Sequence, residues 1–314
     1  MRFPVFDLHC DTAYALLGDN LRHCGSLREN THHIDLNRAA SLAGYAQCFA
    51  CFTTPLEERV SPVDLFEREM ATIMREVERN ADTIAIAYNA RDVESNLKKG
   101  KMSAILTIEG PAGFDYDAQL LPMLYQVGFR MTTLCWNERN PLTGSHCTGG
   151  GLREQGVQFV RMAQSLGMLV DVSHLSDEGF WDVIKVTSAP IVASHSNSRA
   201  LCNRSRNLTD DMFAAIRDTG GVVGINLFRD FLGESPTLDT VCDHIFHFMQ
   251  MDPNAEHICL GGDLDGCDAL VAGFSGIQDY DKLADKLLSR GLTEDLVRNI
   301  FWNNALGVLK RCCM

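Results

Sequence analysis

The segment Asp7-Leu8-His9-Cys10-Asp11 sets an imidazole and a carboxylate two residues apart, directly behind the apolar pair Val5-Phe6. In an extended strand, residues i and i+2 project from one face, so His9 and Asp11 are placed to converge on one point. Imidazole and carboxylate are the usual zinc ligands where sulfur is absent. The same two residue types recur downstream, each at the end of a short apolar run. Ala104-Ile-Leu-Thr-Ile108 ends in Glu109-Gly110, and Leu169-Val-Asp-Val-Ser173 ends in His174. Pro190-Ile-Val-Ala-Ser194 ends in His195, and Ile258-Cys-Leu-Gly-Gly262 ends in Asp263, with Asp265 two further on. Singly, a histidine behind a strand is most often a hydrogen-bonded structural residue, and Glu109 reads equally well as a cap or a surface carboxylate. Three histidines and three carboxylates at equivalent places form a pattern whose chemistry suits two divalent cations. The charges balance: two such ions bring roughly +4, and Asp11, Glu109, Asp263 and a bridging hydroxide roughly −4. His9 and Asp11 would share one ion, His174 and His195 would hold the other, and a glutamate can bridge the two.

The elements that must position these residues are legible as alternation. Apolar, often β-branched runs at 5–9, 45–52, 103–109, 129–134, 168–173, 191–194, 222–227 and 258–263 predict strands. Helical patterns at 62–80, 117–127, 156–166, 177–187, 210–219 and 238–251 lie between them, and 280–290 and 293–309 close the chain. Gly128, Gly167 and Gly220 stand where helix C-terminal glycines belong. Strand and helix alternating over this length imply a parallel sheet, and eight strands imply an α/β fold, a (β/α)8 TIM barrel formed as a single domain over 1–314. A doubly wound sheet is the rival, but no G-x-G-x-x-G follows the first strand. Gly149-Gly150-Gly151 reads as part of a flexible loop over 144–151. In a barrel the catalytic groups sit at the C-terminal strand ends, which is where the candidates fall.

Composition narrows the partners. The 314 residues carry a net charge of −13, which argues against nucleic acid or an anionic membrane surface. No run approaches the roughly 18 apolar residues of a membrane span, and no leader pattern precedes the first strand. The 12 cysteines are scattered, and Cys48-Phe-Ala-Cys51 lacks a second pair at zinc-finger spacing, so it reads as core thiols. A cytoplasmic protein is expected, in which the sequons at Asn203 and Asn207 have no meaning, and a homodimer is the expected assembly.

The motifs Phe6-Asp-Leu-His-Cys-Asp-Thr12, Thr107-Ile-Glu-Gly110, Asp171-Val-Ser-His-Leu-Ser176, Pro190-Ile-Val-Ala-Ser-His-Ser196, Ser205-Arg-Asn207 and Gly261-Gly-Asp-Leu-Asp-Gly266 occur in the order seen in the renal (membrane) dipeptidase family. The chain resembles that family from residue 6 to about residue 266, including its H-x-D start where most barrel metal hydrolases have H-x-H. The resemblance implies two Zn2+ per chain. It assigns His9, Asp11 and a bridging Glu109 to the first, and His174 and His195 to the second. Asp263 resembles the carboxylate near the first metal that takes the proton of the bridging water. Arg206 resembles the arginine that grips the substrate's terminal carboxylate, with Arg204 as a near neighbour. One departure stands out. Mammalian members carry a histidine after the fourth strand, which polarises the scissile carbonyl or stabilises the tetrahedral intermediate. Trp136 occupies its place here, within Thr133-Leu-Cys-Trp-Asn137. Bacterial relatives often show the same Trp-Asn. Trp136 reads as a pocket wall, and Asn137 or His146 as the replacement donor.

The implied activity is zinc-dependent hydrolysis of dipeptides, including L-Xaa-D-Xaa, through a metal-bridging hydroxide. Two other functions use the same residues: an amidohydrolase acting on N-acyl amino acids, and a metal-binding relative without turnover. Mn, Co or Fe would suit the same ligands.

Overall fold

The computed structural model describes residues 3–23 and 25–313. Nine strands form one parallel sheet: β1 Val5–Cys10, β2 Tyr45–Phe52, β3 Ile84–Ile86, β4 Met102–Glu109, β5 Phe129–Thr133, β6 Leu169–Asp171, β7 Ile191–Ala193, β8 Val222–Ile225 and β9 Ile258–Leu260. Their order is β2-β1-β9-β8-β7-β6-β5-β4-β3, and an additional β2–β4 pairing closes the ring. β2 covers one edge of β4 from Ser103 to Glu109. The opposite edge is shared, with β3 against its first residues and β5 against Leu106 to Ile108. The sheet is therefore a closed eight-stranded barrel with β3 as an appendage, the predicted (β/α)8 TIM barrel.

Sequence reading misses β3 and the helix Ala90–Lys98 behind it. Three residues are too few for a periodicity, and that helix is mostly polar. Its cap is nevertheless written locally, since the Asn89 side chain accepts from Asp92 N–H. The predicted helix over 117–127 divides into a tight turn at Ala118–Leu120 and a helix at Leu121–Val127, with Pro122 in its first turn. Gly128 and Gly167 do cap their helices, at φ of 130° and 82°.

Side chains alternate across each strand. Phe6, Leu8, Ala46, Cys48, Ile105, Met131, Leu169, Val192, Val222 and Cys259 form one cluster inside the barrel. Trp302, Ala305, Val308 and Leu309 join it. These come from the C-terminal segment, where a π turn at Asn299–Asn303 links Glu294–Arg298 to Asn304–Cys312. The chain end thus plugs the opening at the N-terminal ends of the strands, and Asn304 Nδ2 donates to Ile258 O there at 2.8 Å. The mouth at the C-terminal ends of the strands is left open. Cys51 packs in the outer cluster while Cys48 faces inward, so the C-x-x-C pair lies on opposite faces of β2. All described cysteines are free. Among the described residues no helix is long and apolar enough to cross a membrane.

Candidate metal centre and active site

Two buried aspartates end the strand ladders at the open mouth. Asp171, the last residue of β6, accepts the backbone N–H groups of Ser173 and Ser194, each at 2.9 Å. Asp7 accepts those of His9 at 2.9 Å and Gly262 at 3.0 Å. In both cases a carboxylate takes amide protons that the next ladder rungs would use, and the chain turns out of the sheet. This explains why β6, β7 and β9 stop short of the predicted 173, 194 and 263. The residues just beyond, His174, His195 and Asp263, line the mouth. His174 and Asp263 are left-handed, with φ of 71° and 56°. Such a backbone costs about 1–3 kcal/mol in a residue with a Cβ and is retained where a side chain must be aimed. Gly110, at φ 78°, follows Glu109 for a steric reason as well, since a Cβ there would lie 2.1 Å from Thr53 O.

Asp11 is not on the strand, as i, i+2 reasoning supposes. It stands one residue past β1, at the start of the short helix Thr12–Ala15. The register of β1 on β2 shifts between Asp7 and Cys10, and His9 falls within that irregularity. The convergence is present all the same: His9 Nε2 is 3.2 Å from Asp11 Oδ2 and 3.3 Å from Glu109 Oε2. Asp263 Oδ1 lies 3.9 Å from the same nitrogen. Across Glu109, its Oε1 is 2.9 Å from His174 Nε2 and 3.8 Å from His195 Nε2. The groups His9–Asp11–Glu109, Glu109–His174–His195 and His9–His195–Asp263 each bring three ligand atoms within 4.8 Å of one another. All six residues are buried.

The donor set fits cations and is poorly satisfied without them. His174 Nε2 and His195 Nε2 face each other at 3.1 Å. The other nitrogen of each ring has an acceptor: His174 Nδ1 has Asn137 Oδ1 at 3.1 Å, and His195 Nδ1 has Ser194 Oγ at 2.6 Å. The Ser194 hydroxyl donates onward to Asp171 Oδ2. His195 therefore carries its proton on Nδ1 and turns its Nε2 lone pair to the centre, and a metal on His174 Nε2 would set the same tautomer there. Burial lowers both imidazoles well below the ordinary histidine range, so they are neutral, as ligands must be. Asp11 Oδ1 is buried with no partner. A Cβ on Gly266 would sit 2.1 Å from Asp11 Oδ2 and 2.5 Å from Asp263 Oδ1, so only glycine leaves the space between these carboxylates open. Burial lowers His9 as well, but the Glu109 and Asp11 carboxylates outweigh it and hold that ring well above the usual value. A proton there stands in for a cation. Burial pushes Glu109 up to about 7 and raises Asp263 too.

The centre opens into a cavity of about 480 Å³. One wall is aromatic, with Tyr14, Phe52 and Trp136 stacked edge to face (Phe52–Trp136 centroids 5.0 Å, Tyr14–Phe52 5.7 Å). Phe228 and Phe231 form another wall. Asn137 and His146 also line the space. The 144–151 loop, expected to be flexible, is tied to the centre by His146 N–H on His174 O at 2.8 Å and by Ser145 Oγ on Asn137 O at 2.6 Å. Arg206 lies beside the cavity and not on its lining. Its Nη1 donates to Ser196 Oγ at 2.7 Å, and its Nε and Nη2 are buried without partners. The Phe231 ring is 5.8 Å from the guanidinium and borders both. Arg204 is exposed.

Sequence reasoning missed the groups behind the candidate ligands: Asp7, Asp171, Ser194, and Asn226, whose Nδ2 donates to Asp263 Oδ2 at 3.1 Å. Asp7, Asp171 and Ser194 lie within the very motifs that carry the ligands. The signal available was a polar residue inside an otherwise apolar strand.

The chain matches the membrane dipeptidase family, peptidase family M19, over residues 1–312. The chain belongs to this family. It is accordingly a hydrolase of the metallopeptidase type. A protein of Klebsiella pneumoniae, described only by its position in a pqqA 5′ region, is 31% identical over 79% of this chain and 96% of its own length. An uncharacterized dipeptidase of Schizosaccharomyces pombe is 29% identical over 98% of this chain and 80% of its own. Among solved structures, a metallopeptidase from Rhodobacter sphaeroides holding a phosphinate mimic of L-Ala-D-Ala superimposes with a TM-score of 0.88. It is 26% identical over 99% of both chains.

Proposed function

We propose that the protein is a binuclear zinc dipeptidase whose substrates include L-Xaa-D-Xaa dipeptides. The observation that carries this reading is Arg206, a buried guanidinium with two unpartnered donors beside a cluster of metal-ligand type. An unpaired buried cation is costly, and the planar fork of an arginine matches a carboxylate. In this reading His9, Asp11 and Glu109 hold one Zn2+, and Glu109, His174 and His195 the other. Bound there, the ions would supply an acidified water and Lewis-acid polarisation of the amide carbonyl.

The chain's own residues do the rest. Arg206 receives the substrate's terminal carboxylate, and the Phe231 ring has to yield for it to do so. That fixes how far the scissile amide lies from the carboxyl end, and a free α-amine held at the metal centre would fix the other end, so longer peptides would not fit. Asp263, its Oδ2 held by Asn226, accepts the proton of the attacking water and delivers it to the leaving amine. The aromatic wall of Tyr14, Phe52 and Trp136 receives a side chain and excludes water. The free cysteines suit a reducing cytoplasm, and a homodimer is the expected assembly.

The test compares L-Ala-D-Ala with its C-terminal amide and with N-acetyl-D-alanine. Hydrolysis of the free dipeptide with a kcat/KM at least 100-fold above the amide supports the reading. Preference for the N-acetyl amino acid would replace it with an acylamino-acid hydrolase.

A further inference from the structure

Asn137 sits at the crossing of two imidazoles. Its Oδ1 is 3.1 Å from His174 Nδ1 and 2.9 Å from His146 Nε2. His174 turns its Nε2 into the cluster, 2.9 Å from Glu109 Oε1 and 3.1 Å from His195 Nε2; as a metal ligand through that nitrogen it carries its proton on Nδ1, which needs an acceptor. His146 is oriented in turn by Ser205 Oγ, 3.1 Å from its Nδ1. An amide oxygen facing His174 can only accept from His146 as well, so the His146 proton is on Nε2 and its Nδ1 accepts from the Ser205 hydroxyl. The other end of the amide follows: Nδ2 has no hydrogen-bond partner among the described residues, is not sealed from solvent, and belongs to a side chain that lines the cavity beside Glu109, His174 and His195. Both ring nitrogens of His146 are engaged, so of the two residues Asn137 alone has a donor to offer.

We propose that Asn137 is a further catalytic residue, whose Nδ2–H binds the amide carbonyl oxygen and the oxyanion that develops from it. His146 is the positioning residue that holds the amide in that sense. The assignment rests on the dipeptidase reading for its substrate, but its logic is local. A donor locked in place before the substrate arrives spends nothing on reorganisation when charge develops, and removing one such donor lowers kcat by about 10²–10³-fold. Because Asn137 also supports His174, a simple loss of activity would not separate the two roles.

Four variants separate them, each assayed for zinc content, kcat, KM and binding of a phosphinate dipeptide. Asn137→Asp keeps an acceptor for both imidazoles and removes the donor. Asn137→Ala, at saturating zinc, removes the donor without adding charge. Both are expected to hold two zinc ions, lose about 100-fold or more in kcat, change KM little, and bind the phosphinate correspondingly less. His146→Leu is expected about 10-fold below the wild type, and His146→Gln, which can still donate to Asn137, to recover most of that loss. Activity within fivefold of wild type in fully loaded Asn137→Asp and Asn137→Ala would overturn the proposal. So would a loss that tracks zinc content, with unchanged activity per loaded molecule, since Asn137 would then serve His174 alone. If the wild type hydrolyses no dipeptide, the dipeptidase reading fails, and phosphinate binding still decides on Asn137: equal affinity in wild type and Asn137→Ala rejects the donor.

Discussion

Glu69 lies fully buried on the helix Pro62–Arg79, with Oε2 accepting Phe52 N–H at 2.7 Å and Oε1 unpartnered. It anchors the end of β2, whose Phe52 is part of the aromatic wall. Burial, reinforced by the Asp11 and Glu109 carboxylates, raises its proton affinity well above that of an ordinary glutamate. The folded state therefore holds this proton more tightly than the unfolded chain does. Its contribution to stability is complete below the unfolded value of 4.5 and is lost as pH rises through the folded one. Glu69→Gln keeps the acceptor for Phe52 and cannot ionise. Thermal unfolding should show no gain for it at pH 4 and a higher Tm at pH 8; equal shifts at both would place Glu69 outside this linkage. Arg206 poses the converse case, a buried charge kept without an ion-pair partner among the described residues. Arg206→Met should raise KM for a free dipeptide by about 100-fold, the size of a lost charge-assisted pair of roughly 3 kcal/mol. The same change should leave Tm unchanged or higher, because an unpaired buried cation is removed. An unaltered KM would take the carboxylate away from Arg206.

The elements divide the labour between the two ends of the barrel. At the closed end Trp302 packs on Phe6, with ring centroids 5.7 Å apart. Trp302→Ala should cost about 3–5 kcal/mol of stability by denaturant unfolding. Its kcat should stay within twofold at temperatures where the variant is folded, because the candidate site is at the other end. A large fall in kcat with little loss of stability would contradict that separation. At the open end Asp7 ties β1 to the β9 loop through His9 N–H and Gly262 N–H, and it accepts from Tyr280. Asp7→Asn retains the volume and replaces one acceptor oxygen with a donor. It should weaken zinc binding by about 10–100-fold, as groups behind ligands generally do. Competition with a chelator measures this, and an unchanged affinity would make Asp7 a fold residue only.

At the scale of the whole molecule, the barrel was legible because a parallel sheet buried on both faces writes its strands as apolar runs with helices between. The candidate site was legible because six residues of ligand type stand at the ends of such runs, at one mouth. What was not legible has physical causes. β3 is too short for periodicity. The strand ends were overestimated because Asp7 and Asp171 divert the amides, and a hydrogen bond from a side chain to a distant backbone leaves no local pattern. The two roles of Asn137 and the unpartnered Nε and Nη2 of Arg206 depend on loops meeting in space, which spacing along the chain cannot show. The central claim concerns the assembled centre, and zinc titration of chelator-stripped protein, followed by hydrolysis of L-Ala-D-Ala, tests it most directly. The account expects no turnover in stripped protein and a rise that reaches its plateau at about two zinc ions per chain. Full activity at one equivalent, or turnover that survives complete removal of metal, would contradict it.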